Sequence, residues 1–161
     1  MITPRCCAVN DSHTDFMLSH GKTMTKLREA KGTAVIDQAA VTSPHKFTVT
    51  LHWTQAGHVR RHTIAFGLKS KTDTGNDFPH HRDPARKKAY ILRHEAREHW
   101  KDPQTRGFWS RWFLWSATKL PEILQTLRKH LGPNWTVHVS RAAAHQLTSP
   151  YVQRGGSAAT S

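Results

Sequence analysis

The stretch KFTVTLHWTQAGHVRRHTIAFG, residues 46–67, decides the fold. Phe47, Val49, Leu51 and Trp53 alternate with Thr48, Thr50 and His52, the period of two that a half-buried strand requires. A break over 54–57 precedes a second run, in which Val59 is followed by Ile64 and Phe66 across the basic pair Arg60 and Arg61. Two such runs joined by a short glycine-containing break predict a β-hairpin.

Downstream, 67–81 is polar, with Gly75 and Pro79, and reads as a loop. Asp83 and Pro84 form a helix start: the carboxylate accepts from the first free amides, and Pro suits the first helical position. Ala85, Ala89, Leu92, Ala96 and Trp100 follow at helical spacing, which predicts an apolar face with Arg86, Lys87, Arg93 and Arg97 opposite and a stop at Asp102 and Pro103. The block GFWSRWFLW, 107–115, predicts an aromatic helix in which Phe108, Trp112 and Trp115 share a face, Trp109 and Phe113 lie beside it, and Ser110 and Arg111 point away. Leu120, Ile123, Leu124, Leu127 and Leu131 mark another helix, with Arg128, Lys129 and His130 in its last turn and Gly132 as its stop. Trp135, Val137 and Val139 alternate as a short strand.

Upstream, 1–44 shows no sustained apolar period and reads as a flexible N-terminal arm, with a short helix over 24–30; 142–161, rich in Ala, Ser, Gly and Thr, reads as a flexible C-terminal tail. The expected domain is 45–141. Its fold class is α+β, a β-hairpin or small antiparallel sheet packed by about three helices around a Trp-rich core. The rings assigned to that core are Trp53, Phe66, Tyr90, Trp100, Phe108, Trp109, Trp112 and Trp115.

Charge narrows the partners. The chain has 161 residues with 24 Lys and Arg against 11 Asp and Glu, a formal +13. Residues 45–141 hold 18 of the cations and seven of the acids, so the excess belongs to the folded part. Arg60, Arg61, Arg82, Arg86, Lys87, Lys88, Arg93, Arg97 and Arg111 are the candidates for one polyanion- or partner-binding patch. Acidic protein surfaces, DNA and RNA all fit such a field.

Catalytic and metal readings find little support. His94 and Glu95 open a zincin-like pattern, but the next histidine, His99, lies five residues on, where HExxH needs four. His80, His81, His94, His99 and Asp83 would need a tertiary convergence to hold a metal. A nuclease built on His81 and Asp83 competes with the capping role that already explains Asp83. No phosphate loop, dinucleotide fingerprint or nucleophile elbow is present. The expectation is a non-enzyme with no catalytic residue, metal or cofactor. Cys6 and Cys7 are the only cysteines and build no disulfide framework. No secretory leader or membrane span is recognisable, so the expected setting is a reducing cell interior.

Several of these motifs occur together elsewhere. Phe66 and Gly67, then His81, Asp83, Arg86, Lys87, Tyr90, Arg93 and His94 in the pattern HxDxxRKxxYxxRH, then GFWSRWFLW, resemble a small domain carried by large nucleocytoplasmic DNA viruses, the giant and algal viruses. The likeness spans about 46–131 and departs at 68–77, where related domains carry a glycine- and tyrosine-rich turn. It implies a shared fold and a viral setting, with no activity to transfer. With the charge, it suggests a basic structural or adaptor protein of the virion, of minor-capsid type, binding acidic partners such as capsid proteins. The alternative is a nucleic-acid-binding protein without sequence specificity, acting in genome packaging or in the infected cell.

Overall fold

The computed structural model describes residues 27, 29–69 and 77–149. Its fold is α+β, a four-stranded mixed sheet with helices packed on one face. Strands β1 (Gly32–Gln38), β2 (His45–Gln55), β3 (His58–Leu68) and β4 (Trp135–Val139) lie in the order β3-β2-β1-β4. The hairpin forms as its alternation requires: Phe47 pairs with Phe66, and Val49 with Ile64, on the covered face. Its turn has only two residues, Ala56 and Gly57, with φ of 51° and 76°, the double left-handed turn whose twist matches two antiparallel strands.

Two boundaries differ from expectation. The arm assigned to 1–44 contains β1, an inner strand pairing antiparallel with β2 and parallel with β4. Its inward residues are Ala34 and Ile36, while Val35 faces out, so its sequence shows almost no contrast between faces. The tail assigned to 142–161 contains a helix, Arg141–Thr148, capped by Ser140, whose hydroxyl accepts from the Ala143 amide at 3.1 Å. Only Ala143 and Leu147 anchor it, two apolar residues one turn apart. Of the helix expected over 24–30, Leu27 and Glu29 are described as helical; the rest, apart from Ala30 in a bend, lies outside the described residues.

The remaining helices are α1 (Phe78–His81), α2 (Pro84–His94), α3 (Arg106–Trp109), α4 (Leu120–Leu131) and the C-terminal one just given, α5. Along α4, Ile123, Leu127 and Leu131 are buried, the predicted stripe. The aromatic block does not continue as a regular helix: α3 passes into a π-helical turn, Ser110–Leu114. Widening the turn by about one residue places side chains five apart on the same side. The side chains sent into the core are therefore Phe108 and Trp109 with Phe113 and Leu114, all essentially inaccessible. Trp112 and Trp115 turn away and are half-buried, which corrects the expected Phe108, Trp112 and Trp115 face.

Phe113 meets Phe47 at 5.4 Å and Phe66 at 5.8 Å, both edge to face, and Trp109 lies 6.3 Å from Phe66. Such pairs add about 0.5–1.5 kcal/mol each beyond the area they bury. Two glycines make the close approaches possible. A Cβ on Gly107 would lie 2.5 Å from a Glu98 carboxylate oxygen, and one on Gly67, whose φ is +70°, would lie 2.9 Å from Leu114.

Candidate basic and aromatic site

Helix α2 begins as the sequence predicts, with the Asp83 carboxylate accepting from the Ala85 amide at 2.8 Å and Pro84 following. Its buried face is not the predicted one. Ala85, Ala89 and Ala96 are exposed and Leu92 is 65% accessible, while Tyr90 is buried between the half-buried Lys87 and His94. A phenol ring and the stem of a lysine cover more surface than three alanines, and that area decides which side docks. The helix also ends at His94, earlier than expected. Beyond it the chain turns so that the Trp100 carbonyl accepts from the Trp112 indole N–H at 2.8 Å and Glu98 accepts from the Trp100 indole at 3.2 Å.

The docked face is held by an aromatic ladder at the edge of the main core, against which Trp112 and Trp115 pack. Tyr90 stacks on Trp115 at 4.2 Å with planes 2° apart, His94 stacks on Tyr90 at 4.2 Å, and His81 leans on Trp115 at 5.3 Å. Burial first, then the neighbouring Glu98, pushes the Tyr90 phenol above its ordinary pKa, and its hydroxyl has no partner among the described residues. Lys87 donates to the Ser116 carbonyl and sits 4.5 Å over the Phe78 ring; its pKa is lowered by burial and then by Arg111.

On the open side, Arg86, Ala89, Arg93 and Trp115 line a shallow cleft of about 530 Å³. Lys88 is exposed on the same helix, and α2 contains no acidic residue. Two guanidinium forks beside an indole whose far face is fixed by Tyr90 suit carboxylate or phosphate groups next to an apolar or planar group.

The structure splits the predicted patch. Arg86 and Arg93 meet at the cleft, while Lys88, about 200° round the helix from Arg86, is exposed on another side of α2. Lys87 and Arg111 are spent internally: Arg111 lies 4.4 Å over Trp112 and 5.3 Å over Trp100, donates to the Trp115 carbonyl at 3.2 Å, and has its pKa lowered mainly by burial. Arg82 and Arg97 are exposed outside α2. Arg60 and Arg61 stand five or six residues along β3 from Phe66, about 16–20 Å at ~3.3 Å per residue, toward the hairpin tip. Among the aromatic assignments, Phe66, Phe108 and Trp109 are in the core and Trp53 packs partly against it. Trp112 and Trp115 likewise pack partly against it, and with Tyr90 and Trp100 they build the ladder and its surroundings. Sequence reading missed Trp115 as a cleft wall, because nothing in GFWSRWFLW marks where the helix widens.

Three of the candidate histidines, His80, His81 and His94, hydrogen-bond backbone groups. The His80 Nε2–H donates to the Gln146 carbonyl at 3.1 Å and His94 Nδ1–H to the Tyr90 carbonyl at 2.8 Å. His81 Nδ1 accepts from the Asp83 backbone amide at 2.9 Å. Among the described residues no three His, Cys, Asp or Glu side chains gather into a metal-holding group. Cys6 and Cys7 lie outside the described residues.

His81 gives a pH prediction. Protonating Nδ1 would break the bond from Asp83, and burial, followed by Arg86, lowers its pKa below 6.5. The unfolded chain then binds that proton more readily, so stability is full above pH 6.5 and falls as pH drops through the folded-state value. Wild type melts at a lower temperature at pH 5 than at pH 7. His81→Asn, which keeps an acceptor and does not titrate, shows a smaller drop, with a remainder from His45, whose pKa is also lowered, by burial and then by Arg106. Equal drops in both proteins contradict the assignment.

No protein family, no curated protein and no solved structure matches the chain. No helix of the described residues is long and apolar enough to cross a membrane.

Proposed function

We propose that this protein is a non-enzymatic basic adaptor of a large DNA virus particle, which binds an acidic protein surface, such as that of a capsid protein, through α2. The observation that carries this reading is the cleft of Arg86, Arg93 and Trp115 on a helix with no acid, held rigid from behind by the Tyr90–Trp115 stack. Arg and Trp are the residues that dominate protein interfaces when held in place. The planar guanidinium fork is pre-organised, so arginine loses less entropy per hydrogen bond on pairing with carboxylates than lysine does. The viral setting rests on the resemblance over 46–131, and the structural role on the exposed basic surface of α2.

The test is binding of the full chain to purified capsid shells emptied of genome. Arg86→Ala, Lys88→Ala and Arg93→Ala combined weaken binding about tenfold or more, the scale of losing a central interface arginine. Affinity unchanged by the triple replacement would remove α2 as the docking face.

A further inference from the structure

A second basic element stands apart from α2. The last β1 residue paired with β2 is Gly32, opposite Trp53, so beyond Trp53 the β2–β3 hairpin continues as a two-stranded ribbon with no third strand beside it among the described residues. Gln55 pairs with His58 across the two-residue turn, and Val59 near the tip is 78% accessible. All residues from His58 to Thr63 are exposed.

We propose that this ribbon is a duplex nucleic-acid-binding element that enters the major groove, a site distinct from the α2 cleft. Three residues beyond Trp53 carry the tip about 10 Å outward at ~3.3 Å per residue, close to the groove depth of about 8.5 Å. A two-stranded ribbon is a shape that the roughly 12 Å wide major groove admits. Arg60, opposite Trp53, and Arg61, opposite His52, stand at the root of the free ribbon, the level of the groove mouth; as consecutive strand residues they project to opposite faces, which directs one guanidinium toward each phosphate wall.

Charge supports a phosphate partner. The sequence from 38 to 72 contains no Asp or Glu, so no acid within the ribbon offsets the two arginines. At the base of the ribbon, exposed Lys31 gives its carbonyl to the Thr54 amide at 3.4 Å and adds a third cation there. Groove insertion with phosphate contacts and no fork positioned for one base predicts weak sequence preference.

The experiment is binding of the full chain to a short labelled DNA duplex of arbitrary sequence, and to its single strand, across a salt series. The duplex binds more tightly, and affinity falls as salt rises. Arg60→Ala with Arg61→Ala lowers the slope of log affinity against log salt by about 2, since each phosphate contact contributes about 0.9. Arg60→Lys with Arg61→Lys keeps that slope, and the α2 triple replacement leaves duplex binding unchanged, so this site and the α2 reading fail independently. Unchanged unfolding midpoints confirm that the exposed replacements leave the fold intact. An unaltered slope in the double Ala variant, equal affinity for single strands, or loss of capsid-shell binding instead of duplex binding would each overturn the proposal.

Discussion

Replacing Trp109 with Ala lowers the stability of the fold by about 3–5 kcal/mol, the cost of deleting a large buried aromatic and leaving its cavity. Trp109 is fully buried, packs on Phe66 and Phe108, and its indole N–H donates to the Pro103 carbonyl at 2.7 Å. Truncation therefore also leaves a buried carbonyl without its donor. Against a total of about 5–15 kcal/mol for an ordinary domain, most of the margin is lost. Trp112→Ala is the informative control. Trp112 is half-buried, stacked on His130 at 3.5 Å, and its loss costs clearly less. A regular helix with Trp112 at the centre of the buried face reverses that order. Denaturant unfolding of the two variants, compared at unchanged slope, distinguishes the π turn from a regular one.

Lys46→Met destabilises by about 3–5 kcal/mol, because it leaves the Asp77 carboxylate buried without its cation. Lys46 and Asp77 are 6% and 5% accessible, and Nζ donates to the carboxylate at 2.7 Å. His80 Nδ1 stands 3.9 Å from the same oxygen, too far to replace that bond. The pair fastens the start of α1 to the start of β2. Lys46→Met combined with Asp77→Asn removes both charges and recovers most of the loss, since a neutral buried pair escapes the desolvation cost that a lone carboxylate bears. Thermal unfolding of the single and double variants reads this directly. A single variant as stable as wild type, or a double variant no better than the single, contradicts the buried-pair account.

What the sequence revealed follows from contrast between faces. The hairpin and α4 were legible because alternating or three-and-four spaced apolar residues stood against polar neighbours. In β1, the inward Ala34 and Ile36 enclose an equally apolar Val35, so periodicity fails for a central strand. Parallel pairing of β1 with β4 joins residues about a hundred positions apart, and no local pattern encodes it. In α2, counting Ala as the apolar face inverted the helix; the area of Tyr90 and the reach of Lys87 determined the burial instead. The cleft depended on that inversion and on the π turn together, so its arginines were visible as a basic helix while Trp115 was not visible as their companion. Asp77 lay in a stretch that reads as loop, and nothing in sequence placed it beside Lys46.

In the proposed function, the folded basic surface docks the chain inside a virus particle. Quantitative cross-linking mass spectrometry on purified particles of a large DNA virus, the setting proposed for the chain, tests this first. The expected result is the chain at a fixed ratio to the capsid protein, retained after the genome is removed, with cross-links from Lys88 to an acidic capsid surface. Its absence from purified particles, or its complete release with the genome, would contradict the account.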